Sequence, residues 1–241
     1  MCIRDRYGYG SYGISIPPSF SASRLSLIDR GMVYAIAHIR GGMEKGKKWY
    51  EDGKKKNKLN SFNDFISCAK FLKKENISGN ISIHGGSAGG LLIGASLNIS
   101  PDTFHCAVAE VPFVDVLNTI LDDTLPLTPP EWEEWGNPIK NKSDFDYIRS
   151  YSPYDNIKKQ SYPAILATSG LTDPRVTYWE ATKWIAKLRS KKIDDNPIFL
   201  KTYTEAGHGG MAGRYNQIKE IAFIYAFILW RNNLTKRSIS R

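Results

Sequence analysis

The segment "GGSAG" at residues 85–89 places a serine between glycines, with an apolar run before it and a helix-forming stretch after it. A serine on a sharp turn from a strand into a helix is exposed for nucleophilic attack, and small flanking residues leave room for that turn. The N-terminus of the helix would bring backbone N–H groups close to the oxyanion formed in acyl transfer. The pattern predicts Ser87 as a nucleophile and the N–H of Ala88 as an oxyanion donor. A plain glycine turn is the alternative.

A serine nucleophile needs a base, and the chain offers four histidines. In α/β hydrolases the nucleophile comes first along the chain, the acid second and the histidine last. His38 and His84 precede Ser87, and His105 follows it too closely for an intervening strand that carries the acid. His208 remains, in the glycine-rich loop "EAGHGG", and we therefore predict it as the general base.

The acid of such a triad should follow the strand before the one that leads to the histidine. The segment "PAILATSGLTDPRV" is predicted as that strand and its loop, with Asp173 a few residues past the strand end. We predict that Asp173 orients His208, which accepts the Ser87 proton. Asp173 could also serve as the N-cap of the helix that follows. Other aspartates come before the strand and fit the order less well, among them Asp115, Asp122, Asp144, Asp146 and Asp155.

A second oxyanion donor is expected in the tyrosine–glycine run "YGYGSYG" at residues 7–13, because the chain has no HGGG motif. A tyrosine hydroxyl can donate a hydrogen bond to an oxyanion, and glycines allow the backbone to approach closely. The residue types alone do not distinguish among the tyrosines of this run.

The segment "TPPEWEEWGNP" at residues 128–138 gathers three glutamates and two tryptophans in a chain of net charge +9. A carboxylate in a partly desolvated pocket binds a guanidinium group through two hydrogen bonds, and a tryptophan can stack on it. In a helix Glu131 would pair with Glu134, whereas Glu131 and Glu133 share a face only in an extended backbone. The two prolines permit an extended start without requiring it. A solvated turn is the alternative.

Apolar runs alternate with amphipathic stretches around these motifs, which predicts one α/β domain with a mostly parallel sheet and helices on both faces. The predicted strands lie within residues 31–40, 79–86, 105–112, 163–170 and 197–207, and the predicted helices span 60–76, 91–98, 177–192 and 213–233. Between residues 112 and 162 the alternation breaks. We interpret this part as an insertion over the carboxyl edge of the sheet, where such folds bind ligands.

Several functional classes are disfavoured by the sequence. Lysines cluster at residues 45–58, but no nucleic-acid-binding motif accompanies them, so we interpret them as a solvated loop. The apolar run at residues 221–230 is about half the length of a membrane span, and the N-terminal segment lacks the apolar core of a secretory signal. The three cysteines show neither metal-like nor disulfide-like spacing, which favours a reducing, cytoplasmic compartment. We expect no cofactor, metal, nucleic acid or membrane partner.

Taken together, the ordered motifs resemble those of the prolyl oligopeptidase family of serine peptidases, most closely its oligopeptidase B branch. The resemblance runs from Tyr7 to about Asn233 and covers nearly the whole chain. It rests on the segments "YGYGSYG", "RGGMEKGKKWYEDG", "GGSAGG", "VPFVDVLNTILDD", "PLTPPEWEEWGNP", "YSPYDN", "GLTDPRVTYWEATKW" and "GHGGMAGR". It implies an α/β-hydrolase fold and a peptidase that cleaves short peptides after Arg or Lys.

The resemblance also implies roles for individual positions. Ser87, Asp173 and His208 match the family's triad, as the residue order already predicts. Tyr9 matches the tyrosine that joins the Ala88 N–H in the oxyanion hole. Four further positions match residues of the substrate site, of which the two glutamates form the acidic pair that holds a basic P1 side chain: Tyr12, Arg175, Glu131 and Glu133.

The chain also departs from the family pattern. The segment "ISIPPSF" after the tyrosine–glycine run lacks the acidic residues that favour a second basic residue at P2. Relatives carry an N-terminal β-propeller domain, which the full-length protein is expected to have. "MCIRDR" stands where relatives have an apolar strand, so residues 1–6 are interpreted as a non-native or disordered leader of an N-terminally truncated catalytic domain, residues 7–234, with a basic tail at 235–241. An esterase or acylaminoacyl peptidase on the same fold, or an inactive fragment, is the alternative.

Overall fold

Within the part of the chain that the structure describes, six parallel strands form one sheet in the order β2-β1-β3-β4-β5-β6. The computed structural model describes residues 3–235. Every neighbouring pair of strands is parallel, which matches the predicted α/β class. The strands are β1 (Ile3–Tyr7), β2 (Met32–Ile36), β3 (Ile81–Gly86), β4 (Cys106–Glu110), β5 (Ala164–Gly170) and β6 (Ile198–Tyr203).

Helices connect the strands and cover both faces of the sheet. They are α1 (Ala22–Ile28), α2 (Lys47–Glu51), α3 (Leu59–Lys74), α4 (Ala88–Ile99), α5 (Val116–Leu121), α6 (Thr128–Trp135), α7 (Lys142–Tyr151), α8 (Tyr178–Lys191) and α9 (Arg214–Arg231). Each predicted strand and helix is present, with ends shifted by a few residues. Within residues 3–235, no helix has both the length and the apolar character needed to cross a membrane.

The alternation of side chains along each strand divides the core into two parts. In β4, Ala107 and Ala109 face a large cluster formed with α3, α4 and α8. Cys106 and Val108, one position out of step, face a smaller cluster formed with α1 and α9. Both faces of the sheet are therefore buried, as a parallel sheet requires.

The predicted insertion at residues 112–162 folds into the three short helices α5, α6 and α7. Thr119 and Ile120 of α5 and Glu131 of α6 line the same cavity as Ser87, which follows β3. The insertion therefore lies at the carboxyl edge of the sheet, as predicted.

The interpretation of residues 1–6 as a disordered leader is corrected by β1. Residues 3–7 pair on one side with β2 and on the other with β3, where Tyr7 lies opposite His84. Strand pairing uses backbone N–H and C=O groups, which polar and apolar residues supply alike, so the lack of an apolar run did not reveal the strand. A non-native origin of the segment stays a prediction. Met1, Cys2 and most of the predicted basic tail (236–241) lie outside the described residues.

Candidate active site

Ser87 occupies the turn between β3 and α4 and has φ of 55° and ψ of −122°. The turn is crowded on both sides. A Cβ at Gly85 would lie 2.5 Å from the carbonyl oxygen of Gly89, and a Cβ at Gly89 would lie 2.8 Å from that of Gly8. The N–H of Ser87 donates to the carbonyl oxygen of Glu110 over 2.9 Å. The glycines are therefore required by the close approach of neighbouring backbone, and the predicted elbow is present.

The imidazole of His208 lies between the side chains of Asp173 and Ser87, within hydrogen-bonding distance of both. Nδ1 of His208 is 2.8 Å from Oδ2 of Asp173, and Nε2 of His208 is 3.1 Å from Oγ of Ser87. The loops after β5 and β6 bring the acid and the histidine to the end of β3, where the serine stands. This arrangement allows the imidazole to take the serine proton while the carboxylate holds the ring in place.

The carboxylate of Asp173 is kept ionised by its surroundings. Burial by itself would raise the pKa of Asp173, but the hydrogen bond from His208 and those from two backbone N–H groups outweigh it and lower the pKa. The backbone donors are Arg175 and Val176, which reach Oδ1 over 2.8 and 3.0 Å. The N-cap position of α8 is Thr177, so Asp173 closes a turn ahead of the helix and does not cap it.

The structure distinguishes the tyrosines of residues 7–13. Tyr9 lies beside Ser87 in the walls of both cavities that the serine borders, and burial is the main cause that raises the pKa of Tyr9 to about 12. Its hydroxyl therefore stays protonated at neutral pH and can donate to an oxyanion. Ala88 is the first residue of α4, where backbone N–H groups have no partner within the helix. Both predicted oxyanion donors thus adjoin the serine.

A cavity of about 420 Å³ opens from the triad toward α5 and α6. Its walls are largely apolar, and it includes the predicted substrate-site positions Tyr12, Arg175 and Glu131. Oε2 of Glu131 accepts hydrogen bonds from the Tyr12 hydroxyl over 2.8 Å and from Nε1 of Trp135 over 2.6 Å. The cavity therefore contains both Ser87, the predicted nucleophile, and the carboxylate of Glu131, which two hydrogen-bond donors hold in one orientation.

Glu133 does not line this cavity, which corrects the predicted pair of Glu131 and Glu133. The side chain of Glu133 is 87% exposed, and its carboxylate lies 3.1 Å from Nζ of Lys55. Residues 128–135 form a helix, in which side chains two positions apart point in divergent directions. The two prolines stand at the start of α6, where the missing N–H costs no hydrogen bond, so they begin the helix and do not extend the chain.

The resemblance implies that Glu133 points into the site, but in the structure Glu134 is the glutamate that points inward. Glu134 does not face the cavity and instead holds residues around it. It is 3% exposed. One of its oxygens accepts the N–H of Tyr12 over 3.0 Å, and the other accepts the hydroxyl of Tyr50 over 2.7 Å. Glu131 and Glu134 are therefore neighbours across one turn of α6, as helical spacing predicts.

The sequence profile of the prolyl oligopeptidase family matches residues 18–234. The chain belongs to the prolyl oligopeptidase family. It is 50% identical over 226 residues to dipeptidyl aminopeptidase BI of Pseudoxanthomonas mexicana, covering 93% of this chain and 31% of that protein. It is also 50% identical over 225 residues to protease 2 of Moraxella lacunata, covering 92% of this chain and 32% of that protein.

Solved structures of the prolyl oligopeptidase family superpose closely on the chain. Oligopeptidase B of Leishmania major gives a TM-score of 0.96 at 49% identity, covering 99% of this chain and 33% of that one. Oligopeptidase B of Trypanosoma brucei with covalently bound antipain gives 0.94 at 50% identity, covering 99% and 34%. The α/β-hydrolase fold is thus confirmed, and the chain spans about a third of the length of these relatives.

Two residues that hold parts of this site in place were not predicted from the sequence. Glu220 of α9 accepts the N–H of Met211 over 2.9 Å and so anchors the loop that carries His208. Lys58 belongs to the run 45–58, which we interpreted as a solvated loop, yet it is only 1% exposed. A lysine among many lysines carries no local signal of burial, so only the packing of distant segments reveals it.

Proposed function

We propose that this chain is the catalytic region of a serine endopeptidase that hydrolyses short peptides after Arg or Lys. The observation that carries the proposal is the position of Glu131, whose fixed carboxylate lies in the same cavity as Ser87 and His208. A triad alone supports acyl transfer, whereas the carboxylate adds a reason for one substrate class. A guanidinium or ammonium group is the natural partner of a carboxylate in a partly desolvated pocket.

The reaction would follow the order that the distances allow. His208 accepts the Ser87 proton through Nε2 while Oγ attacks the peptide carbonyl carbon. The Ala88 N–H and the Tyr9 hydroxyl donate to the oxyanion that forms. His208 then gives the proton to the departing amine, which leaves an acyl-enzyme. His208 then takes a proton from water as the water oxygen attacks the ester carbonyl carbon. The bond to Oγ breaks, His208 returns the proton to Oγ of Ser87, and the peptide acid leaves.

The P1 side chain would extend from the serine along the apolar walls toward Glu131. The methylene groups of Arg or Lys pack on side chains such as Phe113, Ile120 and Leu125, which line the cavity. The charged end meets the Glu131 carboxylate. Glu134 is already engaged by Tyr12 and Tyr50 and does not line this cavity, so we assign the contact with substrate to Glu131 alone.

The relatives support a peptidase of this kind. They are named protease 2, dipeptidyl aminopeptidase BI and oligopeptidase B, and the Trypanosoma brucei protein binds antipain covalently. Because the chain spans about a third of their length, we propose that the whole protein also has the β-propeller domain that the family resemblance implies, and that it restricts the site to short peptides. We also propose a cytoplasmic location, since Cys68 and Cys106 are not in a disulfide bond among the described residues.

The proposal is tested with chromogenic amides of Arg, Phe and N-acyl-Ala. We expect the Arg amide to be preferred, and we expect Glu131→Gln to lower its kcat/KM by roughly 10–100-fold, the value of one charge-assisted hydrogen bond. Glu133→Gln, which changes an exposed glutamate two positions away, is the matched control and should retain the preference for Arg. Equal loss for all three amides in Glu131→Gln, or preference for the acyl-Ala amide, would favour an esterase or acylaminoacyl peptidase.

A further inference from the structure

Lys58 is a buried cation whose contacts converge on the segment at residues 7–13. Its Nζ donates to the carbonyl oxygen of Gly10 over 2.6 Å and to Oγ of Ser11 over 2.7 Å. The same nitrogen lies 3.8 Å from Oε1 of Glu134 and 4.8 Å from the centre of the Trp135 ring. Lys58 therefore joins the start of the chain to α6.

The segment that Lys58 holds carries two residues of the proposed site. Tyr9 precedes Gly10 and lines the same two cavities as Ser87, and Tyr12 follows Ser11 and donates to Glu131. The backbone between them is unusual, because Gly10 has φ of 69° and Tyr12, which has a side chain, has φ of 59°. Such a conformation in a residue other than glycine is unfavourable by itself and persists only where surrounding contacts impose it.

Glu134 completes the connection on the other side. It accepts the N–H of Tyr12, so the strained residue is held by Glu134 while the two residues before it are held by Lys58. Burying the lysine is costly: burial lowers the pKa of Lys58 to about 8, although Glu134 acts in the opposite direction. Buried ion pairs add little net stability compared with apolar side chains of the same size. The pair is better explained by the geometry that it imposes.

We propose that Lys58 is a positioning residue that fixes Tyr9 beside Ser87 by holding the next two residues, Gly10 and Ser11. The inference rests on the proposed function and adds to it a residue that touches neither substrate nor triad. Without the ammonium group, the Gly10 carbonyl keeps only the longer hydrogen bond from the Ser61 hydroxyl, at 3.4 Å. The Ser11 hydroxyl loses its donor, and Glu134 loses its cation. Tyr9 would then no longer be held at the distance that transition-state stabilisation needs.

A double-mutant cycle between Lys58→Gln and Tyr9→Phe tests the proposal in the enzyme. Tyr9→Phe removes an oxyanion donor, and we expect it to lower kcat by roughly 100-fold. Lys58→Gln should lower kcat by roughly 10-fold or more for Arg and Phe amides alike, with a smaller change in KM. In the Tyr9→Phe background the Lys58→Gln substitution should add less than about threefold, because both act on one hydrogen bond. Independent, multiplying effects, or wild-type kcat in Lys58→Gln, would overturn the proposal.

Two further variants keep the test decisive. If Lys58→Gln does not fold, Ser11→Ala removes one acceptor and keeps the Lys58–Glu134 pair, and it should lower kcat only while Tyr9 is present; an equal fall in both backgrounds contradicts the proposal. Lys56→Gln is the charge-matched control, since Lys56 pairs with Asp144 and has no described contact with residues 7–13. We expect this control to keep wild-type kcat.

The test of the role of Lys58 can be separated from the test of the P1 specificity. The same cycle is read from the rate at which a fluorophosphonate probe phosphonylates Ser87 with loss of fluoride, a reaction that uses the oxyanion donors but no basic P1 side chain. A wild-type chain that reacts with the probe but shows no preference for Arg would refute the P1 specificity alone. A probe rate that Lys58→Gln leaves unchanged would refute the role of Lys58 alone.

Discussion

Tyr12 and Glu131 are 119 positions apart in the chain, yet the Tyr12 hydroxyl donates to Oε2 of Glu131 over 2.8 Å. The Tyr12 ring also meets the Trp135 ring edge to face, with centroids 5.6 Å apart. Trp135 donates to the same carboxylate oxygen. The carboxylate of Glu131, which we propose binds the P1 side chain, is therefore oriented before substrate arrives, and this reduces the ordering that binding must impose.

Tyr12→Phe should weaken this orientation. The variant keeps the ring contact and loses one of the two donors to Glu131, so we expect KM for an Arg amide to rise by roughly 10-fold relative to KM for a Phe amide. Steady-state kinetics on both amides measures the effect. Tyr215→Phe, which removes a hydroxyl from a side chain that is 77% exposed on α9, is the control. A rise of equal size for both amides would show that Tyr12 does not act through Glu131.

Asp173→Asn should disable the base while leaving its loop in place. The asparagine carbonyl can still accept the N–H groups of Arg175 and Val176, but its amide donates to His208 and favours the wrong tautomer. We expect kcat to fall by about 10⁴-fold, as in other triads, with little change in the unfolding temperature. Asp155→Asn, at an exposed aspartate, is the matched control. If kcat of Asp173→Asn stayed within tenfold of wild type, another acid would have to orient the histidine.

Glu180 gives a pH dependence of stability whose sign can be worked out. It is fully buried on α8, and it accepts the N–H groups of Val114 and Asp115 and the hydroxyl of Thr119. Burial is the largest influence, and it raises the pKa of Glu180 from 4.5 to about 7, although the hydrogen bonds oppose the rise. Between these values the folded state binds more protons than the unfolded state. The contribution of protonated Glu180 to the free energy of unfolding is therefore fully present below about pH 4.5 and is lost as the pH rises through 7.

Glu180→Gln should remove this dependence, because a glutamine has nearly the same shape and stays neutral. We expect the free energy of unfolding of the wild type to fall, relative to that of Glu180→Gln, by on the order of 2 kcal/mol between pH 5 and pH 8. Urea unfolding of both proteins at several pH values measures the difference. Parallel curves for the two proteins would show that Glu180 does not change its protonation in this range.

The triad and the sheet could be predicted from the sequence because their signals are local or follow from chain order. The turn that carries Ser87 is recognised from consecutive residues. The order of nucleophile, acid and base along the chain then selects Asp173 and His208 over the other aspartates and histidines. Short apolar runs located five of the six strands that the structure describes. The exception is β1, whose residues carry no apolar run and whose pairing depends on β2 and β3.

The remaining features depend on contacts between distant parts of the chain. The choice between Glu133 and Glu134 required knowing that residues 128–135 are helical, which two prolines left open in the sequence. The burial of Lys58 required knowing that the segment at residues 7–13 folds back over the start of α3 and beside α6. Neither fact has a signal within the motif itself.

Labelling by a fluorophosphonate probe tests most directly whether Ser87 is the nucleophile. The folded protein, checked by circular dichroism, is incubated with the probe, and the modified residue is identified by peptide mass spectrometry. We expect one adduct, on Ser87, and none in Ser87→Ala. A folded wild-type chain that takes up no probe, or a Ser87→Ala variant that is labelled as fast as the wild type, would contradict the assignment of Ser87 and the peptidase mechanism that depends on it.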